Sequence, residues 1–101
     1  MVQVEIKWAR KIPGTEAAEV WARVRFNSAG DRLYSYDLGL KTILDLVATP
    51  EYPGTAGVFV TKYLENPGEL DNYASLWSWT ATDTPESAIG STWVDIHALG
   101  Q

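Results

Sequence analysis

Beyond Lys62 this chain has no lysine and no arginine. The stretch from Tyr63 to Gln101 carries six acids (Glu65, Glu69, Asp71, Asp83, Glu86, Asp95) and three of the five tryptophans. Residues 1–62 nearly balance, eight basic against seven acidic, so the net charge of −5 resides in the C-terminal part. Such a field steers association and repels nucleic acid, whose phosphates need clustered Lys and Arg. There is no cysteine, which excludes disulfides, thiolate metal sites and a cysteine nucleophile. With one histidine there is no HExxH helix and no His-rich zinc site. Neither the Gly-rich phosphate loop nor the G-x-S-x-G nucleophile elbow is present. No apolar run approaches the roughly 18 residues of a membrane span. Glu5, Lys7, Arg10 and Lys11 interrupt the N-terminus where a signal peptide needs its apolar stretch. The expectation is an intracellular, cytoplasmic protein.

What remains is ordinary globular composition, 46% hydrophobic and 12% aromatic over 101 residues, enough for one domain spanning 1–101 with one core. Val2, Val4, Ile6 and Trp8 alternate with Gln3, Glu5 and Lys7, the period of a half-buried strand. Val20, Ala22, Val24 and Phe26 alternate with Trp21, Arg23 and Arg25, and a turn cluster at 27–31 leads to the alternating run Arg32 to Tyr36. These two runs read as a hairpin. Ala17, Val20 and Val24 also fit a helix over 16–25, although β-branched and aromatic content favours strand. Leu40, Ile43, Leu44 and Val47 fall at i, i+3, i+4 and i+7, the stripe of an amphipathic helix. Asp37 serves as its expected N-cap and Thr49-Pro50 as its end. Strands follow at 57–64, 72–80 and 92–99, with a turn at Asn66-Pro67-Gly68 and a loop over 81–91 that has room for one helical turn at 85–89. The fold class expected is α+β: a single two-layer domain, a mostly antiparallel sheet of about five to six strands with one amphipathic helix (about 38–48) on one face.

Several constellations touch on chemistry. Asp95 and His97 share a strand face, as an orienting carboxylate and a base would, and Ser75 or Ser78 would have to join them in space. The same spacing describes a solvated polar face, which is the simpler reading. The acid pairs Glu69/Asp71 and Asp83/Glu86 lie beside turns, where carboxylates cap and solubilise. Tyr73, Trp77 and Trp79 share one face of a strand and read as core. Trp21 shares its face with Arg23 and Arg25 and reads as surface, where it can stack with a guanidinium.

The expected function is a small acidic, non-catalytic protein-interaction module, an inhibitor or accessory protein of phage or mobile-element type. It engages a protein partner with a basic surface through Glu65, Glu69, Asp71, Asp83, Glu86 and Asp95 with Trp93 and Trp21. No catalytic residue, metal, cofactor, membrane or direct nucleic-acid contact is expected. A structural homo-oligomer or virion subunit using a sheet edge is the first alternative.

The second alternative rests on a resemblance. VEIKWARKIPGTEAAEV and YPGTAGVFVTKYLENPGELDNYASLWSW resemble the antibiotic-biosynthesis monooxygenase type of dimeric α+β barrel. That family runs strand, Pro-Gly, helix, second Pro-Gly, then two strands ending in Trp. Pro13-Gly14, Pro53-Gly54 and Trp77 or Trp79 take the matching places. The resemblance implies a cofactor-free oxidase or haem degrader, dimeric across its sheet, with a ligand-sized apolar cavity. The span between the Pro-Gly pairs departs from the pattern, because it carries hairpin-like alternation rather than one helix.

Overall fold

The structure is a computed structural model, and it describes residues 2–25, 31–50, 59–79, 85–86 and 93–101. Period-two alternation becomes strand almost wherever it occurs. Eight strands are present among the described residues: β1 Gln3–Lys11, β2 Ala18–Arg25, β3 Asp31–Tyr34, β4 Ile43–Pro50, β5 Phe59–Glu65, β6 Tyr73–Trp79, β7 Pro85–Glu86 and β8 Val94–Gly100. They form two antiparallel sheets, one in the order β1-β2-β8-β4, the other β3-β6-β5 with β7 also on β6. The sheets share one core. Val20, Val24, Ile96 and Leu46 from the first sheet meet Leu33, Ala74 and Leu76 from the second, all buried.

This architecture corrects the α+β expectation. Among the described residues the only helix is a 3-10 turn at Ser35–Leu38. Asp37 does not cap a long helix; its carboxylate accepts the Tyr34 N–H at 2.9 Å, and Gly39 at φ 73° ends the turn. From Ile43 onwards the segment expected to be a helix over 38–48 is β4 instead, and a bulge explains the helix-like spacing. The register against β8 slips between Ile43 and Asp45. Leu44 is thereby inserted, and the inward residues Ile43 and Leu46 end up three apart. A bulged strand thus mimics helical spacing. Leu44 and Val47 of the supposed stripe are exposed.

The expected hairpin is also re-paired. β2 lies between β1 and β8, while β3 pairs with β6 in the other sheet. The hairpin that forms is β1–β2. Its turn is closed by the Ile12 N–H donating to the Ala17 carbonyl at 2.8 Å. The Thr15 hydroxyl accepts the Ala17 N–H at 3.1 Å, and Gly14 adopts φ 79°. A helix over 16–25 is excluded by the same pairing. With both helices gone, the dimeric α+β barrel implied by the resemblance is overturned as a fold. No helix among the described residues is long and apolar enough to cross a membrane.

One buried side chain fastens the two sheets. Asn72, at the start of β6, accepts the Ile43 N–H at 2.7 Å through Oδ1. Its Nδ2 donates to the Ile43 carbonyl at 2.8 Å and reaches the carbonyls of Glu65 and Asn66 at 3.1 and 3.2 Å. Asn72 therefore completes the ladder of β4 as a strand backbone would, where backbone groups must find partners.

Candidate protein-interaction face

Alternation places every second residue of the first sheet away from the core, and the strand register then sorts these residues into rows. The central row is Trp8, Trp21, His97 and Val47, one residue from each strand. Trp8 and Trp21 meet edge-on with ring centroids 4.3 Å apart, and Trp21 stacks on His97 at 4.2 Å with planes 13° apart. Trp8 is still 48% exposed and Val47 55%. Trp8 joins this row because β1 is bulged between Ile6 and Trp8. Strict alternation would have kept it with Val4 and Ile6 on the core side.

Charged rows flank the aromatic one. On one side Arg10, Glu19, Leu99 and Asp45 follow in register; on the other, Glu5, Arg23, Asp95 and Thr49. Glu19 accepts from Arg10 Nε at 3.0 Å through Oε2, and its Oε1 lies 3.9 Å from His97 Nε2. Arg10 lies over the Trp8 ring at 5.4 Å, and Arg23 over Trp93 at 4.5 Å with Glu5 at 3.8 Å. Partly exposed ion pairs contribute about 0–1 kcal/mol each, and aromatic pairs about 0.5–1.5. These contacts orient the side chains more than they hold the fold. Between the rows is an open pocket of about 240 Å³ lined by Glu19, Asp45, Leu46, Val47, His97 and Leu99. Its lining combines three aliphatic side chains with two carboxylates and the His97 ring.

The sequence-derived site residues divide between the sheets. Trp21, Trp93 and Asp95 come together on this outer face, with Trp21 and Trp93 half-buried and Asp95 exposed opposite Arg23. Glu65 ends β5 in the other sheet, and Glu69 and Asp71 sit in the β5–β6 turn, Asp71 at φ 55°. Asp83 and the side chain of Glu86 lie outside the described residues. The guanidinium contacts fall on Trp8 and Trp93 rather than on Trp21. Asp95 and His97 do share a face, but Ser75 belongs to the other sheet. Tyr73 is not core. Among the described side chains of β6, Ala74 and Leu76 are the buried ones, and Tyr73 pairs with Tyr34 and Glu65. The side chains of Trp77 and Trp79 lie outside the described residues.

Sequence reasoning missed Trp8, Glu19, Arg10 and Asp45. Glu19, Trp21 and Arg23 share one strand parity, so Glu19 could have been found; Trp8, Arg10 and Asp45 sit beyond bulges that shift the parity. On the second sheet, Arg32 lies over Tyr73 at 4.4 Å and its Nη1 donates to the Tyr34 hydroxyl at 3.4 Å. That hydroxyl first, then the nearby Tyr73, raises the Arg32 pKa from its ordinary value. Among the described residues no group of three His, Cys, Asp or Glu could hold a metal ion.

The fold and this face define a small two-sheet β protein with an aromatic and charged outer surface. Comparison with protein families, curated proteins and solved structures finds no match for the chain.

Proposed function

We propose that this chain is a protein-interaction module that docks through the outer face of its first sheet onto a partner with a basic surface. The observation that carries the reading is the Trp8–Trp21–His97 row, held in place by stacking yet open to solvent at Trp8. Trp and Arg are enriched at interface hot spots, Trp because it brings large rigid contact area at low entropic cost. The sign of the partner follows from charge. The protein carries −5 overall, and the pocket beside the row offers Glu19 and Asp45 with Leu99 and Val47. A lysine or arginine side chain matches that lining, its methylenes on the aliphatic side chains and its cation near the carboxylates. Nothing in the comparisons supports an inhibitory or viral role, and that part of the expectation is not carried forward.

The test is affinity capture from the native host with wild-type protein, Trp8→Ala and Asp45→Asn side by side, followed by binding kinetics on the captured protein. Association is expected to slow steeply with added salt, and Trp8→Ala is expected to weaken binding by about 2 kcal/mol, roughly thirtyfold. A partner whose binding ignores Trp8→Ala and salt together overturns the reading.

A further inference from the structure

The first strand is an open edge. Among the described residues β1 pairs with β2 alone, and it runs for nine residues without proline. An edge of this length is a template for another strand unless charge or shape blocks it. Lys7 and the bulge beside it look like such a block, but the bulge has a second consequence. In a regular strand Glu5 and Arg10, five apart, would face opposite sides. Here Glu5 stands opposite Arg23 and Arg10 opposite Glu19, so both are on the outer face. Ile6 stands opposite Ala22 and Ala9 opposite Val20, both on the core side. The strand has become self-complementary.

We infer that β1 pairs antiparallel with β1 of a second copy, in the register that sets Glu5 opposite Arg10. Residues directly opposite across an antiparallel pair must share a face, and this register satisfies that at three pairs on each side of the axis, where the bulge residue Lys7 falls opposite Trp8. Glu5 meets Arg10, Ile6 meets Ala9 and Val4 meets Lys11, each pair formed twice about the two-fold. The charges alternate across the junction. Asp95, Arg23 and Glu5 of one copy continue into Arg10 and Glu19 of the other, negative and positive in turn. Glu5 and Arg10 each have an ion-pair partner within their own copy, and their side chains, 55% and 56% exposed, leave room for a second one across the axis. Ile6, 47% exposed, and Ala9 opposite it, also exposed, supply the apolar area that the contact buries. The two sheets join into one continuous sheet, and the two Trp8 rows meet at the axis. The pairing does not depend on what the outer face binds, so it stands or falls separately from the proposed function.

The decisive experiment is charge-reversal complementation followed by sedimentation velocity. Wild type is expected to associate to a dimer with rising concentration. Glu5→Arg alone and Arg10→Glu alone are each expected to dimerise at least about tenfold more weakly. Mixing the two variants in equal amounts restores both cross-axis pairs, so a heterodimer is expected at wild-type concentration. A monomeric wild type up to millimolar concentration, or a mixture no more associated than its parts, overturns the inference. Circular dichroism and thermal unfolding confirm that each variant folds. Hydrogen exchange on unmodified protein supplies an independent readout: outward amides of β1 gain protection as concentration rises, and unchanged exchange there counts against the pairing equally.

Discussion

Trp8, Asn72 and Tyr36 show how single side chains divide the work in this protein. Trp8 belongs to the surface, so Trp8→Ala is expected to shift unfolding free energy by no more than about 1 kcal/mol while weakening partner binding. Chemical denaturation beside the binding assay checks that split. Asn72 belongs to the structure. Asn72→Ala orphans the buried N–H of Ile43 and up to three carbonyls, and each buried unsatisfied group costs about 1–3 kcal/mol. A loss of about 2–4 kcal/mol in urea unfolding is the expected result, with the outer face unchanged in any molecules that remain folded. Tyr36 reports on pH. Partial desolvation first, and then Tyr34, Asp37 and Asp71, raise its pKa above the ordinary tyrosine value. The folded state thus holds this proton more tightly than the unfolded chain does. The associated stability is fully present below the ordinary tyrosine range and is lost as pH rises through the folded value. Ultraviolet titration is expected to show a late-ionising tyrosine component that Tyr36→Phe removes.

Among the elements, the two edge strands of the first sheet behave alike. β1 and β4 each carry a bulge, between Ile6 and Trp8 and between Ile43 and Asp45, and each bulge shifts the faces of the residues beyond it. In β1 the shift delivers Trp8 and Arg10 to the outer face; in β4 it delivers Asp45 and Val47. Between them β8 stays regular, with Val94, Ile96 and Ala98 inward and Trp93, Asp95 and His97 outward. Its last residue matters most. A Cβ at Gly100 would run into the Thr42 carbonyl and the Leu40 side chain, where the end of the chain exchanges hydrogen bonds between Gln101 and Thr42. Gly100→Ala is therefore expected to cost about 1–3 kcal/mol from overpacking, seen as a lower melting temperature, with the register of β2 against β8 intact by hydrogen exchange.

For the molecule as a whole, the distribution of charge differs from its distribution along the chain. Among the described acids beyond Lys62, Asp95 lies on the outer face of the first sheet and Glu65, Glu69 and Asp71 lie at the β5–β6 end of the second. Antiparallel pairing sets Asp95 across from Arg23 of the second strand. The nearly balanced N-terminal part and the acidic C-terminal part are interleaved strand by strand. The negative surplus of the protein is long-range, steering the approach of a basic partner, while contact is made by a face of both signs. At whole-molecule scale the proposed association predicts that salt weakens the dimer and the partner complex together, since charge rows run through both. Sedimentation at two ionic strengths checks the first, and binding kinetics the second.

Local pattern sufficed for the positions of most strands, for the turns at Pro13-Gly14 and Asn66-Pro67-Gly68, and for the inward sets Val20, Ala22, Val24 and Val94, Ile96, Ala98, because a two-residue period is written directly into neighbouring side chains. The helix over 38–48 was misread because a bulged strand and a helix both place apolar residues three apart. The pairing of strands was not legible, since register and neighbour choice are fixed by burial against residues far along the chain. The face that gathers Trp8, Trp21, His97, Glu19 and Asp45 therefore existed only once β1, β2, β8 and β4 had been packed side by side.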